Sequence, residues 1–194
     1  MKIGIFGGSF NPPHKMHLRI ALDLIKKFYL DKVIFVPTGS KYKYKSNLLP
    51  DKNRIEMLEI MIKDDERFLV SDFELKDKVV YTYETLKYFK DIYPNDEIYF
   101  ICGLDNLSYI DKWMNSDELL CNNKFLVIKR SGDNEKDILD RLDDYKENII
   151  ITNVSPCDVS STMIRNKILN NEDVLDFINE DVFKYIKDNN LYEV

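Results

Sequence analysis

The sequence predicts an α/β protein: a doubly wound parallel sheet with helices on both faces and a small C-terminal helical part. Three observations carry that expectation. Short stretches rich in Ile, Val and Phe recur along the chain, apolar enough to be buried on both faces as strands of a parallel sheet are. Between them run stretches whose apolar residues fall three or four apart, the spacing of amphipathic helices. No internal repeat or low-complexity linker divides the 194 residues. One domain, 1–194, is therefore expected to hold the whole alternation, with the helical part at about 156–194.

The elements follow in order. The first strand is predicted at Lys2–Phe6, and Leu18, Leu22, Ile25 and Phe28 share a face of the helix after it. Lys32–Val36 gives the second strand, and Ile55, Leu58 and Ile62 mark the next helix. Phe68–Val70 is a short third strand, with Leu86 and Phe89 on the helix that follows. Glu97–Cys102, Phe125–Lys129 and Ile149–Thr152 supply the remaining strands, and helices are expected at 105–113, 135–142, 161–169 and 173–189. In such folds ligands bind beyond the carboxyl ends of the strands. Whatever follows the first strand is thus the place to look for chemistry.

Composition narrows the function classes. With 44% hydrophobic and 32% charged residues, the chain reads as an ordinary globular protein. No window offers the unbroken run of about 18 apolar residues that a membrane span needs. The N-terminal "MKIGIF" turns to Gly, Ser, Asn and Pro before an apolar leader develops, so a cytoplasmic location is expected. Cys102, Cys121 and Cys157 are too scattered for a disulfide framework and lack metal-type spacing; reduced, buried thiols and no metal centre are expected. A net charge of −6 argues against a general polyanion-binding surface, and no nucleic-acid partner is expected. "KYKYK" at 41–45 is a local basic exception. Its lysines can hold phosphates and its tyrosines can stack on rings, although solvated lysines on a loop give the same pattern. The sequence leaves oligomeric state open, a homo-oligomer included.

The stretch after the first strand, "GGSFNPPHKMH" at 7–17, contains both histidines of the chain. Gly7 and Gly8 remove side chains where a ligand must approach the backbone, and the amides of Ser9 and Phe10 can then face an anion. Pro12 and Pro13 stiffen the turn. His14 and His17 fall together at the start of a helix, where the dipole favours negative charge and two imidazoles can donate to a phosphate. The competing use is structural, with His14 capping the helix and His17 packed in the core. A zinc site fits less well, because the immediate motif supplies no third ligand. Further on, "VSSTMIR" at 159–165 places Ser160 as a helix cap, with Ser161 and Arg165 four apart on one face. That helix start can meet phosphates, with Arg165 on the outer ones.

"GSFNPPHKMH" resembles the G-x-F-x-P-x-H-x-G-H signature of the nucleotidyltransferase superfamily, with Gly8, Phe10, Pro12, His14 and His17 in register. Met16 stands where the family usually has glycine. "VSSTMIR" is similar to the I-S-S-T-x-I-R segment of its adenylyltransferase branch. The intervening chain resembles the nicotinate-nucleotide adenylyltransferases. "VVYTYETLKYF" at 79–89 matches their S-Y-T-x-D-T-L segment with Glu84 for the usual Asp, and "IYFICGLDNLSYIDKW" at 98–113 matches F-I-x-G-x-D-x-L followed by Trp. "FLVIKRSG" at 125–132 continues the match. The P-P-H-K loop that the family often carries after the second strand is replaced here by "TGSKYKYKSNLL".

The resemblance implies a Rossmann-like fold and transfer of the adenylyl group of ATP to nicotinate mononucleotide, giving deamido-NAD and pyrophosphate in NAD biosynthesis. His14, His17 and Arg165 would be catalytic. Gly7, Gly8, Ser9, Phe10, Gly103, Asp105, Ser160, Ser161 and Thr162 would bind ATP. Thr82, Trp113, Lys41 and Lys43 would bind the mononucleotide, Trp113 by stacking on the pyridine ring. Mg²⁺ would accompany the triphosphate. Other readings are nicotinamide mononucleotide or dual specificity, pantetheine-phosphate adenylyltransferase, and a nucleotide-binding sensor without turnover. A cytidylyltransferase lacks its R-T-x-G-I-S-T segment here, and a tRNA synthetase would need a longer chain.

Overall fold

The structure is a computed structural model that describes residues 1–41, 47–129, 135–154 and 159–192. Six strands form one parallel sheet: β1 (Lys2–Gly8), β2 (Lys32–Pro37), β3 (Phe68–Val70), β4 (Glu97–Gly103), β5 (Lys124–Ile128) and β6 (Ile149–Thr152). Their order across the sheet is β3-β2-β1-β4-β5-β6. The chain builds outward from β1 to one edge, then returns to lay β4 on the other side of β1. The sheet therefore reverses its winding between β1 and β4, and a crevice opens at the carboxyl ends of those two strands. The glycines of the first motif and Gly103 end those strands.

Alternation along each strand feeds two cores. Phe6, Phe35, Ile101 and Leu126 face one side of the sheet, where they pack with Leu24 of α1 (Lys15–Phe28), Met57 and Leu58 of α2 (Asp51–Ile62), Ile164 of α7 (Ser161–Leu169) and Val182 of α8 (Glu180–Asp188). Ile5, Ile34, Phe100 and Val127 face the other side, against Leu86 and Phe89 of α3 (Thr82–Ile92), Leu107 of α4 (Leu104–Leu107) and Leu119 of α5 (Ser116–Asn122). Burial on both faces accounts for the near-continuous apolar strands that the sequence shows. The helix α6 (Glu135–Arg141) joins β5 to β6.

The sequence expectations differ from the structure in four places. The helix expected over 105–113 is broken into the four-residue α4 and a 3₁₀ turn at Ile110–Lys112, and α5 was not predicted. The helix expected over 173–189 begins only at Glu180, because Asn179 caps it by accepting from the backbone N–H groups of Asp181 and Val182. Of the cysteines expected to be buried, Cys102 is buried and its thiol is pushed up to about 12, mainly by desolvation. Cys121, in the last turn of α5, is exposed, and Cys157 lies outside the described residues. Among the described residues no helix is long and apolar enough to cross a membrane.

Candidate active site

The loop after β1 runs into the N-terminus of α1, and His14 occupies the N-cap position with extended backbone. Its N–H donates to His17 Nδ1 at 3.1 Å, the reciprocal half of a capping box in which His17 takes the place usual for Glu or Gln. A neutral imidazole that accepts at Nδ1 carries its hydrogen on Nε2, so His17 is fixed as an Nε2 donor. The two rings stack with centroids 3.6 Å apart, and His14 is buried. The capping use and the cleft use of these histidines therefore coexist.

Phe10 fixes the loop from below. It adopts a left-handed backbone (φ 45°), uncommon for a residue with a β-carbon, and its ring is buried edge-on against Phe6, Phe35 and His17. A β-carbon at Gly8 would meet that ring at 2.9 Å. Gly8 thus makes room for an aromatic ring beneath the loop. Two guanidinium groups hold the carbonyls of the same loop. Arg54 of α2, fully buried, donates to Ser9 O at 3.0 Å, to Leu49 O at 3.2 Å and to the Asp51 carboxylate. Arg165 of α7 donates to Asn11 O at 2.8 Å and to Thr162 Oγ1 at 3.1 Å. Asn11, also buried, accepts from the hydroxyl of Tyr192 at 2.8 Å and from the N–H of Leu49. The turn is tied to three separate parts of the chain, as a preorganised site requires.

The second motif docks onto the first. Ser160 caps α7 by accepting from Met163 N at 3.2 Å, and Ser161 Oγ donates to Pro12 O at 2.8 Å. The nine-residue α7 therefore starts beside the histidine loop, although the two are about 150 residues apart in sequence. On the β4 side, a β-carbon at Gly103 would lie 2.2 Å from Asp105 Oδ1. In this rotamer the Asp105 carboxylate occupies the space that Gly103 leaves at the strand end.

These elements enclose a cleft of about 430 Å³. It is lined by Gly7, Gly8, Ser9, Phe10, His14, His17, Gly103, Asp105, Ser160, Ser161, Thr162 and Arg165, the residues for which the family resemblance implies ATP binding or catalysis. Met16 lines it too, so the departure from glycine at that position faces the same space.

A second cavity of about 90 Å³ lies on the other side of the β1 end, lined by Thr38, Glu74, Val80, Thr82, Phe100, Cys102, Tyr109 and Trp113 among others. Gly7, Gly8 and Asn106 line both cavities. Thr82 is the first residue of α3 rather than a strand-edge residue, and Glu84 closes the turn before it by accepting from Tyr81 N at 2.9 Å. Glu84 thus performs a helix-capping task in place of the family's Asp. Trp113 is half-buried, edge-on to Phe100, and its indole N–H is buried without a hydrogen-bond partner among the described residues. No local motif in the sequence singles out Glu74. It is buried, accepts from Thr85 Oγ1 at 2.7 Å, and has its pKa raised from 4.5 to about 7, chiefly by desolvation and against the pull of the Thr85 bond and Arg54.

Lys41 is not brought to either cavity. It extends to Asp77, 2.9 Å away on the exposed surface. Lys43, with most of the "KYKYK" run, lies outside the described residues.

The comparisons with known proteins agree with this geometry. Residues 5–167 match the cytidylyltransferase-like family. A protein of Clostridium acetobutylicum named a probable nicotinate-nucleotide adenylyltransferase is 42% identical over 98% of each chain. One of the same name from Clostridium botulinum is 39% identical over 97% of this chain and 98% of its own. In fold, the chain is similar to the Plasmodium falciparum nicotinic acid mononucleotide adenylyltransferase complexed with NaAD, with a TM-score of 0.82 at 24% identity over 98% of this chain and 97% of that one. The histidine loop, the Gly-x-Asp turn and the docked Ser-Ser-Thr helix thus occur in a chain that belongs to the cytidylyltransferase-like family and, within it, to the nicotinate-nucleotide adenylyltransferases.

Proposed function

We propose that the protein transfers the adenylyl group of ATP to nicotinate mononucleotide, releasing pyrophosphate and forming deamido-NAD. The observation that carries this reading is the meeting of two cavities at Gly7, Gly8 and Asn106, with the histidine pair in the larger one. ATP occupies the larger cleft and the mononucleotide the smaller. The mononucleotide's 5′-phosphate oxygen then reaches the α-phosphorus across the glycine turn; the new P–O bond forms as the α,β P–O bond breaks, and pyrophosphate leaves with the electron pair. No covalent enzyme intermediate is needed, and the protein contributes position and charge stabilisation. The Nε2 hydrogen of His17 and the neighbouring His14 stabilise charge at the α-phosphate. Arg165 holds the outer phosphates, and Ser160, Ser161 and Thr162 bring the start of α7 to the same anion. Gly103 and Asp105 take the adenosine.

Mg²⁺ fits as part of the nucleotide rather than as a resident ion. Asp105 is the single carboxylate that lines the cleft among the described residues, which suits a hydrated Mg²⁺ bound through phosphate oxygens. Bound there, Mg²⁺ neutralises triphosphate charge. Trp113 and Thr82 meet the pyridine ring and its substituent. We take the chain as one nucleotidyltransferase domain, because Ile164 and Val182 of the C-terminal helical part share a core with Phe6 and Phe35 of the sheet.

The test is pyrophosphate release from ATP with nicotinate mononucleotide, nicotinamide mononucleotide and phosphopantetheine in one buffer. Preference for the nicotinate form is expected. Equal kcat/KM on both pyridine nucleotides makes it a dual-specificity enzyme, and ATP binding without turnover on any acceptor makes it a sensor.

A further inference from the structure

Gly7 and Gly8 offer only backbone at the junction of the two cavities, so Asn106 is the one side chain among the described residues that faces both. Its amide is oriented. The hydroxyl of Tyr109, on the wall of the mononucleotide cavity, donates to Asn106 Oδ1 at 2.9 Å, which leaves the amide N–H₂ as the group presented to a ligand. A neutral donor suits this place, because it can orient a phosphate without neutralising the oxygen that must attack.

We propose that Asn106 contacts the substrate, donating a side-chain N–H to the phosphate end of the mononucleotide as it crosses between the cavities, and that Tyr109 is a positioning residue that sets the Asn106 amide. This rests on the two-cavity reading above and adds the residue that joins the two halves of the reaction.

The test is steady-state pyrophosphate release by wild type, Asn106→Ala, Asn106→Asp, Tyr109→Phe and the double variant Asn106→Ala with Tyr109→Phe. Each substrate is varied at saturation of the other, and thermal unfolding is measured alongside. Asn106→Ala should lower kcat/KM for the mononucleotide about 10- to 100-fold, the range for a hydrogen bond to a charged group, with the KM for ATP within about twofold. Asn106→Asp should fall further, since a carboxylate repels the phosphate. Tyr109→Phe should lower the same parameter by about 3- to 10-fold alone and have no further effect on Asn106→Ala. Wild-type kinetics in Asn106→Asp, or equal losses for both substrates, overturns the contact. A Tyr109→Phe loss that persists on Asn106→Ala overturns the positioning role. If wild type turns over a different mononucleotide, the acceptor assignment fails while the same ratios on that acceptor still decide Asn106. If it turns over none, both fail.

Discussion

Replacing Glu74 with Gln should stabilise the protein at neutral and alkaline pH. The Glu74 carboxyl is buried, accepts from Thr85 Oγ1 at 2.7 Å, and ionises at about 7 instead of 4.5 because burial disfavours its charged form. Between those two values the folded protein holds a proton on Glu74 that the unfolded chain has released. Stability therefore falls as pH rises through this window, and above about 7 the penalty is complete. At about 1.4 kcal/mol per pH unit the difference amounts to roughly 3 kcal/mol. Glutamine keeps the acceptor for Thr85 and has no charge to bury. Urea unfolding from pH 5 to pH 8 should show the variant gaining on wild type by up to about 3 kcal/mol as pH rises. A gap that stays constant with pH would refute the reasoning. Because Glu74 shares its cavity with Thr82, binding of a carboxylate-bearing mononucleotide should also weaken above about pH 7 in wild type but not in the variant.

His17→Ala should lower kcat by about 10²–10³ and leave the KM for ATP near wild type, measured by pyrophosphate release; an unchanged kcat would remove the catalytic role. Arg165→Ala should weaken ATP binding more than AMP binding in calorimetry, because only ATP carries the outer phosphates, with a smaller loss common to both from the broken Asn11 contact. Equal weakening would argue that Arg165 only braces the loop. Trp113→Ala should raise the KM for the mononucleotide about 3- to 10-fold while the KM for ATP holds, as expected for loss of ring stacking. A parallel rise in both would point to collapse of the cavity wall instead.

The strands were legible because burial on both faces leaves a local mark: each is a short apolar run, and nearly every predicted boundary lies within one residue of the observed one. The breaks near α4 and before α8 were not, since they depend on side chains finding particular backbone groups. At the site, the two motifs carried their own evidence. Glycines, a histidine pair and a Ser-capped helix are visible in contiguous stretches, although the same residues also clear the Phe10 ring and cap α1. The position of Lys41 was not legible, because charge alone does not say where a long exposed side chain will settle; here it pairs with Asp77.

The sequence by itself therefore determined the sheet, the family and the motifs that line the larger cleft, because each is encoded in a contiguous stretch whose spacing has a direct physical meaning. Tertiary structure decided what those stretches share. Asn106 at the cavity junction, Glu74 with its displaced ionisation, and Arg54 and Tyr192 behind the loop carry no local signature. The places of Glu74 and Arg54 come from burial among residues distant in the chain, and a carboxylate or guanidinium becomes informative once its surroundings have excluded water.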